Sequence, residues 1–167
     1  GDKIVHIRHG AGVVKKTQTM VFDGEDREYF CIDIDDQQRT ILIPVENVDE
    51  EEIRLAITDL SIIEREMNTE PEELDDDYRT RQAAIRTKLK TAKPRLLVQA
   101  LRDLAYLERT HKLTTTDTHI RDQVMDALVR EMALMPSLTL SKARQKLRLL
   151  MDSAMNRHVD ELAAEPT

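Results

Sequence analysis

The sequence predicts an α+β protein in which a small antiparallel β barrel precedes an all-α helical bundle. β-branched and aromatic residues alternate or cluster in the first third of the chain, and from about Thr58 onward the apolar residues recur at the spacing of a helix face. Strands that come first and helices that follow without alternation are typical of a β module joined to a bundle. Because the chain has 167 residues, we expect two small domains, residues 1–57 and residues 58–167.

The β module, residues 1–57, contains four stretches in which strand-forming residues lie between turn signals. The predicted strands are residues 3–8, 11–17, 27–34 and 39–45. Asp23-Gly24-Glu25-Asp26 supplies one hairpin turn and Asp35-Asp36-Gln37-Gln38 supplies the next. Gly10 and Gly12 lie where a strand must bend or bulge, which is a structural role that needs no ligand. Several short antiparallel strands in so short a stretch predict a curled barrel.

Helices are predicted throughout the rest of the chain. The first two cover residues 59–67 and 77–90. Pro94 suits the first turn of a third helix, where its missing N–H is not needed. Asp117 can cap a fourth helix, and Pro136 separates the fourth from a fifth. The three later helices are expected to bury apolar stripes: Leu97, Ala100, Leu101, Leu104 and Leu107 in the third, Ile120, Val124, Leu128 and Met132 in the fourth, and Leu140, Ala143, Leu147, Leu150 and Ala154 in the fifth.

Composition argues against several classes of protein and site. Cys31 is the single cysteine, which excludes an internal disulfide and a cysteine zinc site, and a reducing cytoplasm fits best. No apolar run approaches about 18 residues, so we expect no membrane span. With four glycines the chain has no glycine-rich phosphate loop, and the acidic run 72–77 lacks the glycine of a calcium loop. We therefore expect no cofactor, no metal and no small-molecule substrate.

The net charge of −7 hides a segregation of charge along the chain. Residues 59–77 carry nine acidic side chains and one basic side chain. The stretch 78–101 then carries no acidic residue and seven basic ones: Arg79, Arg81, Arg86, Lys88, Lys90, Lys93 and Arg95. A cationic block in an anionic protein suits a local contact with phosphate. It also suits a solvated helix face neutralised by the adjacent acidic run, and charge alone leaves both interpretations open.

Arg8-His9-Gly10 is the motif that most suggests catalysis, because Arg-His-Gly is the core of the histidine-phosphatase motif. That enzyme needs an α/β sheet with a helix after the motif, whereas Val13 and Val14 continue a strand pattern here. His6 and His9 are three residues apart on a predicted strand, so they are expected to point to opposite faces and not to share a metal. We therefore do not expect an enzyme.

A particular order of residues opens the chain: Gly1-Asp2-Lys3-Ile4-Val5-His6, then His9-Gly10-Ala11-Gly12-Val13-Val14, then Glu28-Tyr29, then Ile43-Pro44-Val45-Glu46-Asn47. This order resembles the N-terminal module of the CarD/CdnL family of bacterial transcription regulators, a module shared with the transcription-repair coupling factor. Arg102-Asp103-Leu104 and Lys112-Leu113 match the helical C-terminal part of that family in order and spacing. Together these matches cover about nine tenths of the chain.

The resemblance implies that the N-terminal module is a Tudor-like β barrel that binds the β subunit of RNA polymerase. Family members that bind polymerase carry Arg at two strand positions that fall, by gapless alignment, on Met20 and Leu42. Neither side chain can form a charge-assisted hydrogen bond, so the contact is either more apolar here or made with another partner. The implied polymerase-binding residues are Met20, Val21, Leu42 and Ile43.

The resemblance further implies that the helical domain touches promoter DNA without reading its sequence. Tyr78 falls at the position of a family Trp that wedges into the minor groove at the upstream edge of the melted promoter. The implied phosphate contacts beside it are Arg79, Arg81, Arg86, Lys88 and Lys90. In the other interpretation of Tyr78, the ring caps a hydrophobic patch between helices.

The function implied by the resemblance is that of a cytoplasmic, nucleoid-associated transcription regulator that modulates the stability of the open promoter complex. The alternative is an interaction adaptor of the same fold, with a changed partner and weak or no DNA binding. The apolar residues Met20 and Leu42 favour this alternative, because they replace the family's two arginines.

Overall fold

The computed structural model describes residues 1–34, 38–49 and 52–166, and over these residues a five-stranded antiparallel sheet precedes five α-helices. This confirms the predicted α+β class. The strands are β1 Lys3–His6, β2 Gly10–Phe22, β3 Glu25–Ile34, β4 Arg39–Pro44 and β5 Ile53–Leu55. They lie in the order β4-β3-β2-β1-β5 across the sheet.

The sheet is open, so the predicted barrel is wrong. Closure would require the edge strands β4 and β5 to pair with each other, and within the described residues they do not. The edge strands also differ in length, since β4 has 6 residues and β5 has 3, so they do not offer two matching edges to join. The β2–β3 hairpin instead projects past β1 and β4 as a two-stranded hairpin arm, residues 19–22 and 25–28.

The two faces of the sheet have different neighbours. The inner face forms the core of the β module and buries three isoleucines: Ile4, Ile32 and Ile34. The outer face carries Val5 and Ala11, which share a buried cluster with Leu134 of the helical part. Because side chains alternate across a strand, the helical part packs on the face opposite to the isoleucine core.

Turn residues of the β module behave largely as the sequence predicts. Asp23 and Gly24 join β2 to β3 with φ angles of 53° and 78°, the left-handed conformation that two-residue hairpin turns require. Gly10 begins β2 with a φ of 86°. The β-bulge itself lies between Val14 and Lys16, beyond both glycines expected at a bend or bulge. The second predicted turn, Asp35-Asp36-Gln37-Gln38, lies outside the described residues apart from Gln38.

Every predicted helix is present, with ends close to the expected ones. The helices are α1 Ser61–Asn68, α2 Tyr78–Leu89, α3 Pro94–Thr110, α4 Thr115–Met132 and α5 Leu140–Ala164. The cap of α4 differs from the prediction, because Thr114 is the N-cap and Asp117 completes a capping box three residues later. No helix within the described residues is long and apolar enough to cross a membrane.

The helical core contains the apolar stripes predicted for α3, α4 and α5, with two exceptions, Leu107 and Leu140. Leu150 is half-buried at the edge of this core, and Leu107 is half-buried outside it. Leu140 is exposed, so the prediction that it is buried is wrong. It is the first residue of α5, and side chains on a helix tilt toward its N-terminus, so Leu140 projects past the end of the bundle.

Candidate nucleic-acid and partner interfaces

Tyr78 is the first residue of α2, and its ring is exposed to solvent. Asp77 caps the helix directly before it by accepting a hydrogen bond from the Thr80 N–H. Tyr78 is 46% exposed. The Arg79 guanidinium lies 5.5 Å from the ring centre, and its Nε donates a hydrogen bond to the Tyr78 hydroxyl at 3.1 Å. This exposure favours a contact residue over a ring packed between helices.

Arg81 is buried in the helical part, although it belongs to the same basic block. Its Nε and Nη2 donate hydrogen bonds to the Asp117 carboxylate at 3.2 and 2.6 Å. Its Nη1 donates to the carbonyl oxygen of Asp76 at 3.0 Å. Burial alone would raise the pKa of Asp117, but hydrogen bonds from Arg81, Gln82 and Thr114 outweigh burial and hold that pKa well below its usual range. The Arg81 guanidinium is therefore buried and hydrogen-bonded inside the protein, and it does not belong to the exposed cationic surface.

The other basic residues of α2 divide by helical spacing. Arg79, Arg86 and the C-cap residue Lys90 are separated by seven and four positions, so they lie on one face of the helix, and all three are exposed. Lys88 lies on another face, is half-buried, and places its Nζ 3.5 Å from Glu72 Oε2. The exposed cationic face of α2 therefore consists of Arg79, Arg86 and Lys90.

An acidic strap, residues 69–77, joins α1 to α2 and lies against the helical part. The Glu72 N–H donates a hydrogen bond at 3.0 Å to the buried carboxylate of Asp103 on α3. Burial raises the pKa of Asp103, and the hydrogen bond from Arg102 opposes that rise. The side chains of Glu73, Asp75 and Asp76 are exposed directly before Tyr78 in the chain. The proposed contact ring therefore lies between a cationic helix face and a run of carboxylates.

The four candidate polymerase-binding residues divide between the two faces of the sheet. By the register of β2 and β4 on β3, Met20 and Leu42 both lie on the outer face, and both are exposed. Val21 and Ile43 are the next residues along their strands and point the other way. Ile43 packs on the isoleucine core, whereas Val21 is exposed on the hairpin arm. The structure thus brings Met20 and Leu42 to one face and leaves Val21 and Ile43 off it.

Phe22 is an exposed aromatic residue that was not predicted as part of a binding surface. It ends β2 at the tip of the hairpin arm, and the Arg27 guanidinium lies 5.5 Å from its ring centre. With Met20 and Val21 it forms an apolar tip. The sequence pattern that could have predicted this tip is three apolar residues directly before an Asp-Gly turn. Residues at such a position have no other strand to cover them.

His6 and His9 lie closer together than the sequence predicts. Their ring centroids are 4.6 Å apart, so the expectation of opposite faces is wrong. The reason is that β1 ends at His6 and His9 belongs to the turn before β2. Within the described residues no group of three or more His, Cys, Asp or Glu side chains could hold a metal ion. A strand follows Arg8-His9-Gly10, so the helix of the phosphatase context is missing.

Two family models match the sequence and together span most of it. The model described as the CarD-like/TRCF RID domain matches residues 1–57, and the RID domain is a type that interacts with the β subunit of RNA polymerase. The model described as the CarD C-terminal domain matches residues 60–148. The chain is also 23% identical over 142 residues to a Bacillus subtilis (strain 168) protein named "Putative transcription factor YdeB". That alignment covers 83% of this chain and 92% of YdeB.

Proposed function

The chain belongs to the CarD family, and from this premise we propose that it binds the β subunit of RNA polymerase and contacts promoter DNA at the upstream edge of the transcription bubble. Family membership itself supports a role in transcription. The β module would anchor the protein on polymerase, and α2 would reach the DNA. The result would be a change in the stability of the open promoter complex.

The single observation that carries the DNA contact is the exposed Tyr78 ring at the start of α2. A flat side chain against the last paired base step must be expelled before the bubble can close. Stacking of a base on an aromatic ring is worth about 1–3 kcal/mol, which corresponds to about a five- to hundredfold shift in the open population. Tyr has a smaller ring than Trp and a hydroxyl that prefers a wet edge, so Tyr78 would be a weaker wedge than Trp.

We assign the phosphate contacts to the exposed face of α2. Arg79, Arg86 and Lys90 share that face and would position the ring without reading sequence. Lys88 lies on another face of α2, so it would contact a different phosphate, and only in exchange for Glu72. We leave out Arg81, because its guanidinium is buried against Asp117.

The proposed polymerase contact combines the outer face of the sheet with the tip of the hairpin arm. Met20 and Leu42 are exposed on that face, and Val21 and Phe22 add apolar area at the tip. Such a surface would bind its partner mainly by burying apolar area, with Arg27 as the nearby cation. Ile43 would support this surface from the inner core.

The wedge is tested by the lifetime of open complexes formed with purified polymerase on promoter DNA. Tyr78→Ala should lose the effect of the protein on this lifetime while retaining polymerase binding, and Tyr78→Trp should strengthen the effect. Leu149→Ala is a matched control, because Leu149 is an exposed apolar residue of the helical part outside α2. An unchanged lifetime with Tyr78→Ala would remove the wedge from the proposal.

A second candidate function is that of an adaptor that recruits another protein and binds DNA weakly or not at all. The observation that favours it is the pair of apolar residues, Met20 and Leu42, at positions where polymerase-binding relatives carry Arg. Retention of purified polymerase core on the immobilised chain separates the two candidates, because the adaptor would not retain it. In either case we propose a cytoplasmic protein without catalytic activity or cofactor, and the first candidate places it at the nucleoid.

A further inference from the structure

Arg54 of β5 connects the β module to two elements of the helical part. Its Nη1 and Nη2 donate hydrogen bonds to the two carboxylate oxygens of Glu131 on α4, at 2.6 and 2.8 Å. Its Nε donates to the carbonyl oxygen of Ala92, in the turn between α2 and α3, at 2.8 Å. A planar guanidinium that is bound on both edges has little freedom to move.

Glu131 is buried, and its carboxylate oxygens accept hydrogen bonds from residues of the β module. It is 1% exposed. Besides Arg54, it accepts a hydrogen bond at 2.9 Å from the N–H of Ile57, at the end of the β module. Beside this ion pair, Val5 and Ala11 of the sheet share an apolar cluster with Leu134. A buried carboxylate that loses its cation is costly, so this arrangement strongly favours one placement of the two parts.

We infer that Arg54, held by Glu131, is a positioning residue that sets where α2 lies when the β module is bound to polymerase. This inference rests on the proposed function. Arg54 contacts the chain at Ala92, just beyond the last residue of α2, so it anchors the end of the helix opposite to Tyr78. The ion pair therefore determines how far from the polymerase anchor the ring is placed.

Because α2 is long, a small rotation at its Ala92 end produces a large displacement of Tyr78 at its other end. With 12 residues, the helix is about 18 Å long at about 1.5 Å per residue. A rotation of the helical part by about 20° about the Ala92 end of α2 would displace Tyr78 by about 6 Å, which is nearly two base steps of about 3.4 Å. A ring that must press on one base step cannot tolerate that displacement. Loss of the Arg54 contacts should therefore weaken the wedge without changing the ring or the cationic face.

The test compares wild type, Arg54→Gln and Arg54→Lys in the full chain. Three quantities are measured: retention of polymerase core, affinity of the free protein for forked promoter DNA, and open-complex lifetime. We expect both variants to retain polymerase and to bind forked DNA within about twofold of wild type, while the lifetime effect falls by about fivefold or more. Arg8→Gln is the matched control, because Arg8 forms an exposed ion pair with Glu52 inside the β module.

A spectroscopic readout separates positioning from simple destabilisation. Spin labels at exposed Lys15 of β2 and exposed Asp152 of α5, in a Cys31→Ser background, report the distance between the two parts. Arg54→Gln should broaden this distance distribution while helical content stays at the wild-type value.

If both the distribution and the lifetime effect are unchanged, the positioning role is overturned. If Arg54→Gln unfolds, Arg54→Lys decides, because it retains the charge and loses the planar fork. If wild type itself has no lifetime effect, the proposed function fails, and the distance distribution still tests the ion pair.

Discussion

Arg81 of α2 donates two hydrogen bonds to Asp117 of α4, and both side chains are buried. This pair shows that the basic block of the sequence contains cations of two kinds. Arg81 joins two helices, whereas Arg79, two residues earlier, is exposed beside the Tyr78 ring. The two residues are therefore expected to respond differently to the same substitution.

We predict that Arg81→Met lowers the free energy of unfolding by about 3–5 kcal/mol, because it leaves the buried Asp117 carboxylate without its cation. Urea unfolding followed by circular dichroism measures this change. Arg79→Met is the matched control and should change stability by no more than about 0.5 kcal/mol, since its side chain is exposed. In a DNA-binding assay Arg79→Met should reduce affinity. Equal stability of the two variants would contradict the structural role of Arg81.

The turn after β1 predicts a pH dependence of stability. Burial, followed by the neighbouring His9 and then Arg8, lowers the pKa of His6 below its usual 6.5, and Glu52 opposes this. The neutral His6 ring accepts a hydrogen bond at Nδ1 from the Arg8 N–H at 3.1 Å. The unfolded chain therefore takes up a proton more readily than the folded one, so the stability conferred by the neutral ring is present above pH 6.5 and is lost as the pH falls toward the lowered pKa.

We expect the free energy of unfolding to fall between about pH 7.5 and about pH 5.5, with a smaller fall in His6→Asn, whose side chain does not titrate in this range. Urea unfolding at the two pH values measures the difference. His119→Asn is the control for the loss of a histidine away from this turn, since His119 is exposed on α4. A His6→Asn curve that keeps the full pH dependence would contradict this assignment.

Gly12 is predicted to be required for space. A Cβ at this position would lie 2.6 Å from the carbonyl oxygen of Asp33 and 2.8 Å from Cδ1 of Ile34, both on the adjacent β3. Gly12→Ala should therefore push two strands apart and lower the free energy of unfolding by about 1–3 kcal/mol. Gly1→Ala is a control, because a Cβ there would meet no atom within 4 Å. Equal unfolding midpoints for the two variants would show that the sheet relaxes around the added methyl group.

The order and type of the elements were predictable because they depend on local spacing. The period of the apolar residues separates strands from helices, and the Asp23-Gly24 turn is specified by two adjacent residues. The open sheet was not predictable in this way, because closure depends on the lengths of the edge strands β4 and β5 and on which strands pair. Those are relations between distant segments, and no local pattern in the sequence reports them.

The candidate site was predictable only in part for the same reason. The sequence predicted a helix that starts beside Tyr78, but it left open whether the ring is exposed or packed between helices. Predicting that Arg79 is exposed and Arg81 is buried requires knowing which face of α2 packs on the core. The few apolar residues of α2 do not indicate this face. The partner that removes Arg81 from the surface is Asp117, which is 36 positions away in the sequence. Likewise, nothing near Arg54 in the sequence indicates that Glu131 is its partner.

The acidic strap is predicted to weaken DNA binding by the adjacent helix face. Glu73, Asp75 and Asp76 are exposed directly before Tyr78, and their charge repels the phosphates that Arg79 and Arg86 attract. The triple substitution Glu73→Gln/Asp75→Asn/Asp76→Asn should therefore raise the affinity for forked DNA by about three- to tenfold at low salt. Fluorescence anisotropy with labelled DNA measures this change.

The dependence on salt and a matched triple variant separate this local repulsion from a general effect of net charge. Exposed charges interact over about 8 Å at physiological ionic strength, so the gain should shrink as salt is raised. Glu25→Gln/Asp26→Asn/Glu28→Gln changes the net charge by the same amount, but on the hairpin arm of the β module. If repulsion is local to the strap, this control should leave the affinity within about twofold of wild type. Equal gains in the two triple variants would mean that DNA responds to the total charge of the protein, and that the strap has no particular influence on the Tyr78 end of α2.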